Sequence, residues 1–453
     1  MNDYYCLRPM DNRISISIEN FGPIKGPHTI YLNQLMIFSG PSGVGKSYLA
    51  MLTHYVYRLV SHPHELLRFF ESKKVDFDLL KRDATEETPL ICKISTEELS
   101  QWVYNRALAY MRNMLGNPSF QAKIHINFPD LPESLSFIYS RSVVMSDTST
   151  MDYMETLRLA EFNSGIHLPQ SESWGGFPFA ILVRRLLRNK YTLEIGKTFF
   201  MPPSRGSMIN IPDSIRLRLI GSMNMYKTFL DDLAELKSGR PMDKSTNYTR
   251  EASAILHNEI LNGNIDVREN DIFYQTDGKE IPISAAASSI KEITPFALMI
   301  QKGLLGIYSI LFEEPESHLH PELQIKVADV IGYALQEGAH LQITTHSDYF
   351  MRHLNDLIRL DFLKRSLSTE DYDTYCKENN FTHSITIDPQ KVSAFYLKPA
   401  QNGESIIEEQ TLKNGIPFDS FQNIVDTQLL RSANLYEKVE STLLENNNEP
   451  TDI

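Results

Sequence analysis

Gly40-Pro41-Ser42-Gly43-Val44-Gly45-Lys46-Ser47 is the stretch that decides the fold. It satisfies G-x-x-x-x-G-K-[ST], and it lies after the apolar run LMIF at 35–38 and before helix-friendly sequence from Lys46 onward. Glycines let backbone N–H groups close on phosphate oxygens at the start of a helix. Lys46 is placed to neutralise β- and γ-phosphate charge, and the Ser47 hydroxyl suits Mg²⁺. Upstream, RISISIE at 13–19 alternates isoleucine with polar residues and predicts a half-buried strand ending at Asn20-Phe21-Gly22-Pro23. A second extended stretch is expected at 28–32. The pattern is strand, glycine loop, helix.

A second cluster, Ile310-Leu311-Phe312-Glu313-Glu314-Pro315-Glu316-Ser317-His318-Leu319-His320-Pro321, ends an apolar strand in two carboxylates. A phosphate site needs that arrangement, one acid for the water shell of the metal and the next to polarise an attacking water. Taken alone it also reads as a solvated acidic turn. His318 and His320 beside glutamates suggest a transition-metal site, but H-x-H in such a turn is more often structural. Leu341-Gln342-Ile343-Thr344-Thr345-His346-Ser347 then ends a short strand in a histidine. A lone histidine there is usually a packing residue; its order and spacing after Glu314 argue for a role at the site.

With those residues in view, the chain resembles an ABC-type ATPase head of the RecF/SMC/OLD group. The resemblance rests on ENFGPI at 19–24, GPSGVGKS at 40–47, LFEEPESHLHP at 311–321 and ITTHS at 343–347, with Pro202-Pro203-Ser204-Arg205 also similar to relatives' strand ends. It implies ATP and Mg²⁺ as ligands, Glu314 as the catalytic glutamate, Glu313 as the ligand of the Mg²⁺ water shell, 316–320 as the D-loop and His346 as the switch histidine sensing γ-phosphate. Glu313 stands where many relatives carry Asp. No LSGGQ occurs, and Ser288-Ser289, ahead of the acidic strand, is read as a degenerate signature meeting the ATP of a second protomer; a plain serine helix cap is the other reading. No Q-loop glutamine is assigned.

The implied fold class is α/β, a mixed sheet flanked by helices. Residues 1–50 form the N-terminal part of the head, 51–190 a large, mainly helical insertion or lid, 191–430 the C-terminal part of the head and 431–453 a tail. Strands are expected at 191–201 and 308–312, helices at 215–236 and 321–336, and a hairpin at 392–410 turning at Asn402-Gly403. Arg205 could reach a phosphate or a partner, or be an exposed loop arginine. Asp371-Tyr372-Asp373 imitates the D-x-D of a Toprim nuclease, but no apolar strand precedes it.

Composition sets the outer limits. With 42% apolar and 22% charged residues the chain is neither disordered nor collagen-like. The 57 acidic against 44 basic residues leave a net charge of -13, the wrong sign for coating nucleic acid, so any DNA contact needs a local basic patch such as Arg184, Arg185, Arg188 and Lys190. The cysteines Cys6, Cys92 and Cys376 make no metal spacing, which suggests a reducing cytoplasm, and the apolar run at 304–312 is too short to span a bilayer. No membrane contact is expected. By resemblance, ATP glues head domains into a homodimer or higher homo-oligomer. The leading expectation is a switch or sensor of a bacterial antiphage system, similar to the ATPase components of PARIS, Septu or retron-linked modules, that controls a separate effector protein, a nuclease or toxin, with slow regulatory hydrolysis. The alternative is a RecF-like ATPase that clamps DNA in repair.

Overall fold

Ile16 and Ile18, alternating with serines, form β1 (Ser15–Glu19) and are both buried. The computed structural model describes residues 12–447 apart from 74–89, 130, 146–150, 161–164, 169–174, 189–194, 210, 212–223, 243–245, 383, 401–402, 413–415 and 417–418. In it β1 pairs antiparallel with β2 (His28–Tyr31). β3 (Leu35–Ser39) is buried along its whole length, as a strand covered on both faces must be. The glycine loop leads from it into α1 (Lys46–Ser61). α1 stops at His62 because Pro63 follows: a residue before proline is pushed to extended backbone, and His62 lies at φ -103°, ψ 108°. A separate helix, Pro63–Ser72, begins there.

The insertion at 51–190 carries a sheet as well as the expected helices. Among the described residues, beside the helices Thr96–Leu115 and Phe177–Leu187, the block contains five strands: β4 (Leu90–Ser95), β5 (Lys123–Asn127), β6 (Ser134–Met145), β7 (Met151–Leu159) and β8 (Ile166–Leu168). Four of them form an antiparallel sheet in the order β4-β6-β7-β8. The reason is a period of two: Leu135, Phe137 and Tyr139 are buried while Ser136 and Ile138 between them are only half-buried. β5 pairs with the other edge of β1, so the insertion is stitched into the N-terminal sheet.

β9 (Lys197–Met201) follows, then a small antiparallel sheet of β10 (Asn264–Arg268), β11 (Asp271–Thr276) and β12 (Lys279–Pro282). The central sheet is completed by β13 (Tyr308–Glu313), β14 (His340–Thr345), β15 (Val392–Pro399) and β16 (Ser405–Glu409), in the order β16-β15-β3-β14-β13-β9. Five strands are parallel and β16 is an antiparallel edge, which makes the sheet mixed, as expected. The chain leaves β3 toward β9, whereas Pro321–Glu337 carries β13 back to β14 and Asp348–Ser366 carries β14 on to β15. Right-handed crossovers in opposite directions put α1 on one face and the other two helices on the opposite one. The direction reverses between β3 and β14, and a parallel sheet opens a crevice at the carboxyl ends of its strands at such a point.

The expected strand residues 191–194, helix residues 215–223 and turn residues 401–402 lie outside the described residues; the described part of the expected helix runs Asn224–Ser238. The last helix, Asp419–Asn447, leaves Leu429 65% and Tyr436 67% exposed.

Candidate functional site

The crevice is built from the loop upward. Gly40 has φ +128°, and a Cβ there would stand 2.0 Å from the carbonyl oxygen of Leu397 on β15, so only glycine ends β3 this way. Gly45, at φ +99°, caps the start of α1. Lys46 is buried, and its ammonium donates to the carbonyls of Gly40 at 2.9 Å and Pro41 at 2.7 Å. Burial pulls its pKa down to about 8, while Glu314 and Glu313 pull the other way. Ser47 Oγ donates to Glu313 Oε2.

Glu313 closes β13 and is buried; burial pushes its carboxyl up to about 7, Ser47 opposing and Glu314 adding to the shift. Its second oxygen, Oε1, is buried with no hydrogen-bond partner among the described residues. A hydroxyl and a carboxylate with an oxygen to spare are the donors a hard divalent cation takes, so the residues present fit Mg²⁺. Glu314 follows at φ +46°, uncommon for a residue with a side chain, and its amide donates to Thr344 O at 2.9 Å. Its carboxylate accepts from Ser317 Oγ at 3.0 Å.

Three side chains outside the expected catalytic set hold this end of the sheet. Arg205, 0% exposed, donates to the carbonyls of Glu313 at 2.7 Å, Glu292 at 2.8 Å, Pro202 at 3.2 Å and Glu314 at 3.4 Å, and lies over the Phe312 ring. The exposed-loop reading of Arg205 is therefore overturned; the signals were its place just after an apolar strand and the likeness of 202–205 to relatives' strand ends. Glu316, also buried, accepts through Oε1 from Thr345 Oγ1 at 2.7 Å and from the amides of His346 at 2.8 Å and Ser347 at 3.2 Å. Gln324 takes the Ser347 hydroxyl, which also caps the helix Asp348–Ser366. His346 thus leaves β14 on a tied turn. Desolvation, then the charge of Lys46, hold its imidazole below the ordinary value, with Glu314 opposing.

Lys46, Ser47, Glu313, Glu314 and His346 come together at this crevice. Ser288 and Ser289 do not join it through any described contact: they open the helix Ser288–Gln301, whose N-cap Ala287 supplies no side-chain acceptor. His318 and His320 are exposed, and among the described residues no group of three His, Cys, Asp or Glu is placed to hold a metal. Asp371 and Asp373 lie on the helix Thr369–Glu378. In the basic cluster Arg184 is half-buried and donates to Ser61 O at 2.8 Å, while Lys190 lies outside the described residues. No described helix is long and apolar enough to cross a membrane.

Residues 221–351 match the AAA ATPase domain family, a stretch that holds Glu313, Glu314 and His346 but not the glycine loop. No curated protein matches the chain. Among solved structures it is similar to an Smc head bound to the C-winged helix domain of ScpA, at 12% identity over 88% of this chain and 97% of that one, TM-score 0.36. An SMC head domain from Thermotoga maritima gives 11%, 88%, 98% and 0.30. An Smc head with an extended coiled coil, bound to the C-terminal domain of ScpA and derived from Pyrococcus furiosus, gives 10%, 92%, 99% and 0.34.

Proposed function

We propose that the chain binds ATP with Mg²⁺ and hydrolyses it as a slow molecular switch, and that its nucleotide state governs its hold on a separate effector protein, as in the antiphage systems its sequence resembles. The observation that carries the nucleotide reading is the bond from Ser47 to Glu313 beside the unpartnered Glu313 Oε1. In this reading residues 40–47 wrap the phosphates and Lys46 exchanges its loop carbonyls for phosphate oxygens. Ser47 and, through its water shell, Glu313 hold the Mg²⁺, which neutralises phosphate charge. Glu314 takes the proton of the attacking water, and His346 senses the γ-phosphate. Ser288 and Ser289 of a second copy close the site, so the working unit is a homodimer or a higher homo-oligomer. Residues 1–50 and 191–430 make up the head, and 51–190 serve as the recognition element.

Two features support a protein partner: the net charge of -13, and the exposed Leu429, Leu430, Leu435 and Tyr436 on the helix Asp419–Asn447. The test is the size and composition of Glu314→Gln purified with MgATP from cells expressing its genomic neighbours, with DNA content recorded. The switch reading expects a stable complex with a second protein that wild type loses on turnover. A DNA-bearing dimer without a partner overturns effector control, and a failure to retain ATP overturns the site.

A further inference from the structure

Arg205 is a guanidinium with no exposure to water, and its partners are chosen in an informative way. Nη1 and Nη2 reach the carbonyls of Glu313 and Glu314, the two residues that carry the carboxylates of the site. Nε reaches the carbonyl of Glu292 at 2.8 Å and faces its carboxylate at 3.5 Å. Glu292 is itself buried, and its Oε2 has no hydrogen-bond partner among the described residues. It stands one helical turn beyond Ser288-Ser289, on the helix those serines open.

We propose that Arg205 is a positioning residue that yokes the helix Ser288–Gln301 to Glu314, so that events at the start of that helix set the attitude of the hydrolytic carboxylate. The inference rests on the ATPase reading above and adds a route between the serines and Glu314. The physical case has three parts. Glu314 sits in the left-handed region at φ +46°, a conformation a glutamate keeps only where its surroundings impose it, and Arg205 grips the carbonyls on both sides of that bend. The planar fork of arginine can bridge acceptors from three chain segments at once, which the point charge of lysine cannot do. The Phe312 ring, with the guanidinium carbon 4.7 Å from its centroid, fixes the plane of the fork, so a shift of Glu292 is passed on rather than absorbed.

The test uses the full chain: steady-state ATP hydrolysis and MgATP affinity for wild type, Arg205→Lys, Ser289→Ala, the double variant and Glu292→Gln. Arg205→Lys should lower kcat at least about tenfold while the dissociation constant for MgATP stays within about twofold, because the loop and Lys46 are untouched. Ser289→Ala should slow wild type but add little in the Arg205→Lys background, since both act through one route. Glu292→Gln keeps the shape of the side chain and removes its charge; it should lower kcat several-fold, and it carries the test alone if Arg205→Lys does not fold. Losses of kcat and affinity in parallel mark Arg205 as merely structural and overturn the proposal. Losses from Ser289→Ala and Arg205→Lys that multiply, or a Ser289→Ala variant at the wild-type rate, overturn the coupling. If wild type hydrolyses ATP and Lys46→Ala does not, a wild-type rate in Arg205→Lys or, where that variant is unfolded, in Glu292→Gln sinks this inference alone. If Lys46→Ala binds ATP like wild type, the ATPase reading falls with it.

Discussion

Ser47 Oγ, at the start of α1, donates to Glu313 Oε2, at the end of β13, across 266 positions of sequence. The bond holds one oxygen of a buried carboxyl whose other oxygen has no partner and whose pKa is raised from 4.5 to about 7. A carboxyl raised in the folded state favours folding below its unfolded value and loses that contribution as pH rises through the folded one. Stability of the nucleotide-free protein should therefore fall between about pH 4.5 and 7 through this group, and Glu313→Gln should flatten the slope. MgATP needs the carboxylate, so its stabilising effect should be larger at pH 8 than at pH 6. Thermal unfolding midpoints against pH, with and without MgATP, check both; an identical slope in Glu313→Gln removes Glu313 as the cause.

Lys46 and Glu314 separate binding from turnover. Lys46→Ala removes a buried ammonium aimed at the loop and should weaken MgATP binding at least about a hundredfold, the scale of a lost buried charge partner. Glu314→Gln keeps the size and the bend and should retain binding while hydrolysis falls by about 10² to 10⁴. Isothermal titration and phosphate release read the two effects separately. An unchanged hydrolysis rate in either variant sinks the assignment.

Much of the site was legible because its residues announce themselves by local pattern. The strands behind residues 40–47, 313–314 and 346 are short and buried along their whole length, the first two largely apolar, and each ends in or just before the residue that matters. Arg205 and Glu316 were not legible in the same way. What gives Arg205 its place is a set of carbonyls at 202, 292, 313 and 314, and what gives Glu316 its place is the turn at 345–347; no local pattern encodes either meeting. The strands of the insertion were hidden for a different reason. Leu135, Phe137, Tyr139, Leu157 and Leu159 recur on alternate positions, but Ile138, Val144 and Met154 fall on the intervening ones and blur the alternation that the clean isoleucines of β1 display.

The two glycines Gly40 and Gly43 should answer differently to alanine. Both have positive φ, at +128° and +81°, but a Cβ on Gly40 meets Leu397 O at 2.0 Å whereas one on Gly43 meets nothing within 4 Å. Gly43→Ala should cost about 1–2 kcal/mol of backbone strain, and Gly40→Ala more than about 4 kcal/mol, because β3 and β15 must part. Chemical denaturation of the two variants tests this; equal losses would mean that the loop, not the strand pair, takes up the clash.

Glu316 offers the sharpest separation of charge from hydrogen bonding. Its Oε1 receives the Thr345 hydroxyl and the amides of His346 and Ser347, its Oε2 has no hydrogen-bond partner, and burial raises its pKa. Glutamine can keep the accepting oxygen, so Glu316→Gln should change stability by about 1 kcal/mol or less. Alanine strands buried donors, each worth about 1–3 kcal/mol, one of which Thr345 Oγ1 still satisfies through Ser347 N. Glu316→Ala should thus lose about 2–4 kcal/mol. The same loss frees the turn that carries His346, so kcat should fall in Glu316→Ala and be largely restored in Glu316→Gln. Equal stability of the two variants would show that the negative charge, and not the acceptor, is what the 345–347 turn requires.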